Sequence, residues 1–166
     1  TVGSGDGQFE WPKALTVDGS DVVYVADYGN ERIQKFNSSG QFLSKWITNG
    51  TPIGVTVDGV GNVYVVLDNV HIVQKFDSSG TFLTQWGGNG SENGQFNQPR
   101  GIAVDGSGFI YVADSSNDRI QKFDSSGTFL TTWGSTGTGN GQFVHPRRIV
   151  VDGSGSIYVA DTKNSR

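Results

Sequence analysis

The residues with the clearest chemical potential form a polar trio that recurs at fixed spacing. An aspartate is followed three positions later by asparagine and five positions later by arginine. A carboxylate beside a guanidinium could orient a ligand, or the pair could brace a loop while asparagine supplies turn chemistry. Because the trio recurs in register, we expect it to be structural. Its three copies are Asp27, Asn30 and Arg32; Asp114, Asn117 and Arg119; and Asp161, Asn164 and Arg166.

Basic residues near recurring prolines form a second candidate site. Lys13, Arg100 and Arg147 each follow such a proline, and Arg148 lies beside the last of them. If the repeats surround an axis, three of the four units place a cation at its mouth. An anionic ligand or an acidic peptide could dock there. The alternative is that these cations pair with carboxylates of nearby loops.

Positions that differ between the repeats are a third candidate set, because residues that recur in every unit build the fold. Tyr28 belongs to one such position, and Glu31, His71 and Asp118 belong to another. All of them fall in the longer loops, where function concentrates on a rigid frame. We therefore predict a binding face made of Lys13, Tyr28, Glu31, His71, Arg100, Asp118, Arg147 and Arg148.

Sequence signals for catalysis and for metal binding are weak. The two histidines, His71 and His145, occupy non-equivalent positions, and the absence of cysteine excludes thiol chemistry and disulfides. Serine-rich turns such as Ser125-Ser126 have no matching acid–base partners. The Asp-Gly turns offer too few oxygens for calcium and lack the EF-hand spacing. We predict no catalytic residue, no metal and no cofactor.

The element that must position these residues is a repeat of about 40 to 47 residues, a period typical of solenoids and propellers. Its copies begin at Pro12, Pro52, Pro99 and Pro146. Each copy contains short alternating β-rich runs, and Asp-Gly between two such runs is a strong hairpin signal. Four antiparallel strands in each unit would form one propeller blade. We thus predict an all-β propeller.

The repeats also predict where the blades begin and end. Residues 1–166 form one propeller segment, with blades at about 10–46, 51–86, 97–133 and 144–166. The fourth blade has only its inner two strands, so the ring is open at about three and a half blades. We align Thr1–Ser4 with Thr132–Ser135, the exit of a fourth strand. Without an initial methionine, the chain is expected to be a processed product, a fragment or part of a longer protein.

The repeated residues resemble a known family. The pattern Y-V-A-D-x-x-N-x-R-I-Q-K-F, preceded by P-x-x-I-x-V-D-G-S-G and followed by G-x-F-L, resembles the NHL repeat over almost the whole chain. The resemblance implies a propeller that usually closes with six blades. NHL propellers serve as protein-binding modules, RNA-binding domains, extracellular sensor domains and, in a few relatives, lyases that hold a metal with several histidines. The fold alone does not choose among these roles.

Composition favours a protein-binding role. The net charge of −4 opposes nucleic-acid binding, and no apolar run is long enough to span a membrane. Asn37, Asn49 and Asn89 begin glycosylation acceptor triplets. We expect a non-catalytic scaffold, extracellular or at the cell surface, that binds a protein partner or other copies of itself through open blade faces and a strand edge. The alternatives are an RNA-binding NHL domain and a piece of a propeller lyase whose catalytic residues lie outside this segment.

Overall fold

The computed structural model describes every residue from Thr1 to Arg166 and contains three four-stranded sheets followed by a two-stranded one. Within each sheet the strands pair antiparallel in chain order, so each sheet is one blade and the predicted open propeller is confirmed. None of its helices, which are single 3₁₀ turns, could cross a membrane. The strands are β1 (Pro12–Val17), β2 (Val23–Asp27), β3 (Arg32–Phe36), β4 (Phe42–Ile47), β5 (Pro52–Val57), β6 (Val63–Leu67), β7 (Ile72–Phe76), β8 (Phe82–Gly87), β9 (Pro99–Val104), β10 (Ile110–Asp114), β11 (Arg119–Phe123), β12 (Phe129–Trp133), β13 (Pro146–Val151) and β14 (Ile157–Asp161).

The Asp-Gly turns set the pairing of the first two strands of each blade. Asp105 illustrates the arrangement, because one of its carboxylate oxygens accepts the backbone N–H groups of Ser107 and Phe109 at 2.9 and 3.0 Å. The other oxygen accepts the Tyr111 hydroxyl at 2.8 Å. Gly108 adopts a φ of 83°, which the turn requires and which glycine tolerates without steric cost. These carboxylates therefore stabilise hairpins.

Neighbouring blades bury an aromatic face against an aliphatic face. In the first interface, Tyr24 and Trp46 of blade one pack with Val55, Val65 and Phe76 of blade two. The same combination recurs between blades two and three and between blades three and four. Burial of this surface is the main favourable contribution to folding of the arc.

Glycine lets the innermost strands approach one another around the axis. A Cβ atom added to Gly54 would lie 2.7 Å from the Arg100 carbonyl oxygen of the next blade. A Cβ atom added to Gly101 would lie at the same distance from the Arg147 carbonyl oxygen. Contacts this short are not tolerated, so the small residues of β5 and β9 determine how tightly the blades close.

The two ends of the arc expose surfaces that are buried between blades elsewhere. Leu15 and Val17 lie on the open face of blade one, and Val150 and Tyr158 lie on the open face of blade four. In addition, β14 pairs only with β13, so its second edge is unpaired, as predicted for a fourth blade with only its inner two strands. Both ends therefore offer apolar surface, and one of them also offers free backbone groups.

The predicted alignment of the first residues is wrong by three positions. The Thr1 carbonyl accepts the Phe9 N–H, as the Ser135 carbonyl accepts the Phe143 N–H. Thr1 is thus equivalent to Ser135 and not to Thr132. The short Thr-x-Gly-Ser match was misleading because the register of this loop is set by its hydrogen bonds to the phenylalanine.

Candidate functional site at the loop end of the propeller

One end of the propeller holds the connections between second and third strands together with the linkers between blades. The linker that precedes a blade packs against the connection between the second and third strands of that blade. In blade one, this connection is the 3₁₀ turn Tyr28–Asn30, and the Gly29 N–H donates to the Glu10 carbonyl at 2.7 Å. The opposite end holds only tight turns. We call these the loop end and the turn end.

The recurring trio attaches each long linker to its blade. Asp27 accepts hydrogen bonds from Arg32 Nε at 2.7 Å and from Asn30 Nδ2 at 2.9 Å. Its second oxygen accepts the Glu10 N–H at 2.7 Å. The guanidinium of Arg32 donates to three carbonyls within linker residues 4–8. The trio therefore forms a linker clamp. In blade one, every polar side-chain atom of the trio except Asn30 Oδ1 has a hydrogen-bond partner within the chain.

The clamp recurs in blades three and four, with decreasing burial. Asp114 with Arg119 and Asp161 with Arg166 form the same ion pairs, at 2.7 and 3.0 Å. The arginine side chain is 4% exposed in blade one, 13% in blade three and 43% in blade four. Burial alone would raise the pKa of Asp161, but its hydrogen bonds, including the one from Arg166, lower that pKa overall.

Two clamp residues were not identified from the sequence. Gln34 donates from Nε2 to the Gln8 carbonyl at 2.6 Å and also to Asp27. Gln121 makes the equivalent bonds to Gln95 and to Asp114. Both side chains are fully buried. A glutamine that recurs inside a buried strand was the available signal, since buried polar groups need hydrogen-bond partners.

Blade two replaces the clamp with apolar packing. Leu67 and Ile72 pair across β6 and β7 at the positions that Asp27 and Arg32 occupy in blade one. The connection between β6 and β7 contains Val70, which is exposed, whereas Leu67 at its start is fully buried. The preceding linker is short and has no long loop to hold. This substitution therefore packs the core more than it presents a surface.

Two residues of the predicted binding face, His71 and Asp118, contact the following linker. His71 accepts the Gln98 N–H at Nδ1 at 3.0 Å. Asp118 is buried and accepts the His145 N–H at 2.8 Å and the Thr136 hydroxyl at 2.7 Å. Neither side chain is free for a ligand at these atoms. In contrast, the equivalent Glu31 is exposed, and Tyr28 is half-buried beneath the Lys13 ammonium, which lies 5.3 Å from the ring centroid.

The four predicted cations lie at the start of three of the innermost strands, at the loop end of the central cavity. The innermost strands β1, β5, β9 and β13 line a space of about 510 Å³, and Lys13 and Arg148 are among its lining residues. Arg148 donates across it to the Lys13 carbonyl at 2.6 Å and contacts the Ile53 carbonyl at 3.5 Å. Arg100 and Arg147 occupy the position of Lys13 in β9 and β13. None of the four forms a salt bridge; the chain's four ion pairs lie elsewhere.

No three or more His, Cys, Asp or Glu side chains are grouped so that they could hold a metal ion. His71 lies in the second blade, and His145 immediately precedes β13 of the fourth. The polar groups that do converge at the loop end are the linker clamps and the cations of the cavity mouth. The first set holds the backbone, and the second set is the candidate binding site.

A family model of the NHL repeat matches residues 9–36, 96–123 and 143–166 of the chain. These segments carry the three clamps, and blade two, which lacks a clamp, is not matched. A search of curated proteins found no match.

Solved structures similar to the chain include propeller enzymes. A streptogramin B lyase is 17% identical with a TM-score of 0.74 over 92% of this chain and 49% of that chain. A catalytically inactive virginiamycin B lyase from Staphylococcus aureus, determined with quinupristin, is 14% identical with a TM-score of 0.71 over 90% and 48%. A protein of unknown function from Bacteroides thetaiotaomicron is 21% identical with a TM-score of 0.74 over 93% and 45%. The chain spans about half the length of these structures, and the likeness shows the fold.

Proposed function

Because the chain belongs to the NHL-repeat β-propeller family, we propose that it is a non-catalytic scaffold that binds partner proteins or other copies of itself. The supporting observation is the apolar surface at both ends of the arc. Leu15 is 65% exposed, whereas its equivalent Val55 is 6% exposed. Tyr158 is 58% exposed, whereas its equivalent Tyr24 is completely buried. Such surfaces pack against a further blade, which another copy, a partner protein or a longer form of this chain can supply.

The two open faces are complementary to each other. Blade one presents the aliphatic face that blades two to four pack against the preceding blade. Blade four presents Tyr158 and Val150, the face that the other blades pack against the following blade. Two copies could therefore meet head to tail, an arrangement that yields closed rings or open filaments. The free edge of β14 adds backbone hydrogen-bonding groups to such a contact.

The test of association is the mass and shape of the native particle. Light scattering and small-angle X-ray scattering across a concentration series should give particles heavier than the 17.8 kDa of one chain. Leu15→Glu and Tyr158→Glu should each shift the particles toward that mass. Val60→Glu is the matched control, because Val60 is 85% exposed in a tight turn outside both faces. A stable monomer at every concentration would contradict the assembly version.

A non-catalytic role has a direct test against the lyase alternative. Incubation of the protein with quinupristin, with and without divalent metal ions, should leave the compound unchanged. Its consumption at a rate proportional to protein concentration would refute the proposal. Chromatography with mass detection would follow both the compound and its products.

We also propose that the protein acts outside the cell or at its surface. Support comes from the acceptor triplets that begin at Asn49 and Asn89, both of which are exposed. Asn37 is the poorer acceptor, because its Nδ2 donates to the Gln41 side chain at 2.9 Å. Antibody detection in the medium, the surface fraction and the cytosol would check the location. Detection in the cytosol alone would contradict it.

A further inference from the structure

We propose that the cation cluster at the cavity mouth binds a short acidic peptide segment, inserted from the loop end. This inference rests on the proposed protein-binding function and specifies its ligand chemistry. The cluster consists of Lys13, Arg100, Arg147 and Arg148. Lys13 and Arg148 line the central cavity, and Arg100 and Arg147 are the second residues of β9 and β13, the position that Lys13 has in β1.

No carboxylate of the chain forms an ion pair with a member of the cluster. Asp27, Asp114 and Asp161 accept hydrogen bonds from the clamp arginines and asparagines, and Asp118 holds a linker. The side chains of Arg100 and Arg147 make no hydrogen bond or ion pair within the chain. Positive charge that converges on a cleft without an internal partner attracts an anion and raises its local concentration.

The turn end accounts for the whole net charge of −4, so this negative charge lies at the opposite end of the propeller from the cation cluster. The loop end and its linkers carry nine carboxylates and nine basic groups, whereas the turn end carries seven carboxylates and three lysines. A carboxylate ligand is therefore directed to the loop end. The turn-end groups are Asp18, Asp21, Asp58, Asp77, Asp105, Asp124 and Asp152 with Lys35, Lys75 and Lys122.

The cavity below the cations suits a peptide better than a nucleic acid. Its volume of about 510 Å³ lies in the range of about 300–1,000 Å³ that ligand pockets occupy. The wall contains small and apolar side chains such as Thr16, Val55 and Ala103. A segment that alternates carboxylates with apolar side chains can place the former on Arg100 and Arg147 and the latter against this wall. Four cations give a long polyanion few contacts, and the remaining charge repels it.

Fluorescence anisotropy with a labelled Ala-Glu-Leu-Glu-Leu-Ala peptide tests the proposal, and the Ala-Gln-Leu-Gln-Leu-Ala counterpart is the uncharged probe. We expect the glutamate peptide to bind at least about 10-fold more tightly, because each charge-assisted hydrogen bond contributes about 1.5–3 kcal/mol. The double variant Arg100→Gln with Arg147→Gln should lose at least about 10-fold in affinity. The matched control is Lys45→Gln with Lys163→Gln, which removes the same charge away from the cavity and should bind within about two-fold of the parent.

Three other outcomes of these binding measurements would overturn the proposal. Equal affinity for the two peptides, or equal affinity of the parent and the Arg100/Arg147 variant, would overturn the proposal. Tighter binding of a ten-nucleotide uridine oligomer than of the glutamate peptide would also overturn it and reassign the site to RNA. None of these outcomes bears on the scaffold proposal, because that proposal is tested by the particle mass and by the effect of Leu15→Glu on it.

Discussion

Replacing Asp27 with asparagine should destabilise the protein strongly, because it breaks a buried ion pair at one partner. Asp27 is completely buried, and the side chain of Arg32 is only 4% exposed. Asparagine keeps the volume but removes the charge, which leaves the guanidinium without compensation. Removal of one partner from a buried pair costs about 3–5 kcal/mol in unfolding free energy. For a chain of this length that loss lowers Tm by about 10 °C.

The same substitution in blade four provides an internal comparison. Arg166 is 43% exposed, so water can solvate it when Asp161→Asn removes its partner. We expect this variant to lose only about 1 kcal/mol, the upper range for exposed pairs. Asp124→Asn measures what the same chemical change costs in an exposed turn without an ion pair, a turn that Asn37 makes in blade one.

Urea unfolding followed by circular dichroism would measure these costs, and hydrogen exchange would locate them. The Glu10 N–H donates to Asp27, so its protection should fall in Asp27→Asn even if unfolding of the arc is not fully cooperative. Equal losses in Asp27→Asn and Asp161→Asn would refute the reasoning from burial. Unchanged protection of Glu10 would show that the clamp does not hold the linker.

Three further predictions concern pH and backbone packing. The Ser126 hydroxyl and nearby backbone N–H groups lower the pKa of Asp124 to about 2, so its stabilisation is complete above about pH 4 and is lost as the pH falls toward 2; the Tm difference between the parent and Asp124→Asn should shrink over that window. Burial and the hydrogen bond to Asp18 raise the pKa of Tyr24 to about 12, so its stabilisation is complete below pH 10 and is lost as the pH rises toward 12; Tyr24→Phe should show less alkaline loss by circular dichroism. Gly101→Ala should cost about 1–3 kcal/mol in urea unfolding, whereas Gly106→Ala, which meets open space, should cost nothing measurable.

The sequence was sufficient to predict the strands of each blade because their signals are local. Alternating apolar residues, Asp-Gly turns and the recurring proline all act within a few residues, and repetition shows each signal several times. The trio was also recognisable, since it recurs in register. The linker carbonyls that the trio binds could not be predicted, because they lie 24 to 28 positions away from Arg32 in the chain.

Local sequence therefore determined the blades, their order and the identity of the recurring polar residues. Only the tertiary structure decided which of those residues are available. It buried Asp118, engaged His71, recruited Gln34 and Gln121, and left Arg100 and Arg147 without partners. The physical reason is that strand formation depends on neighbours in sequence, whereas the state of a polar group depends on whatever the fold brings within hydrogen-bonding distance.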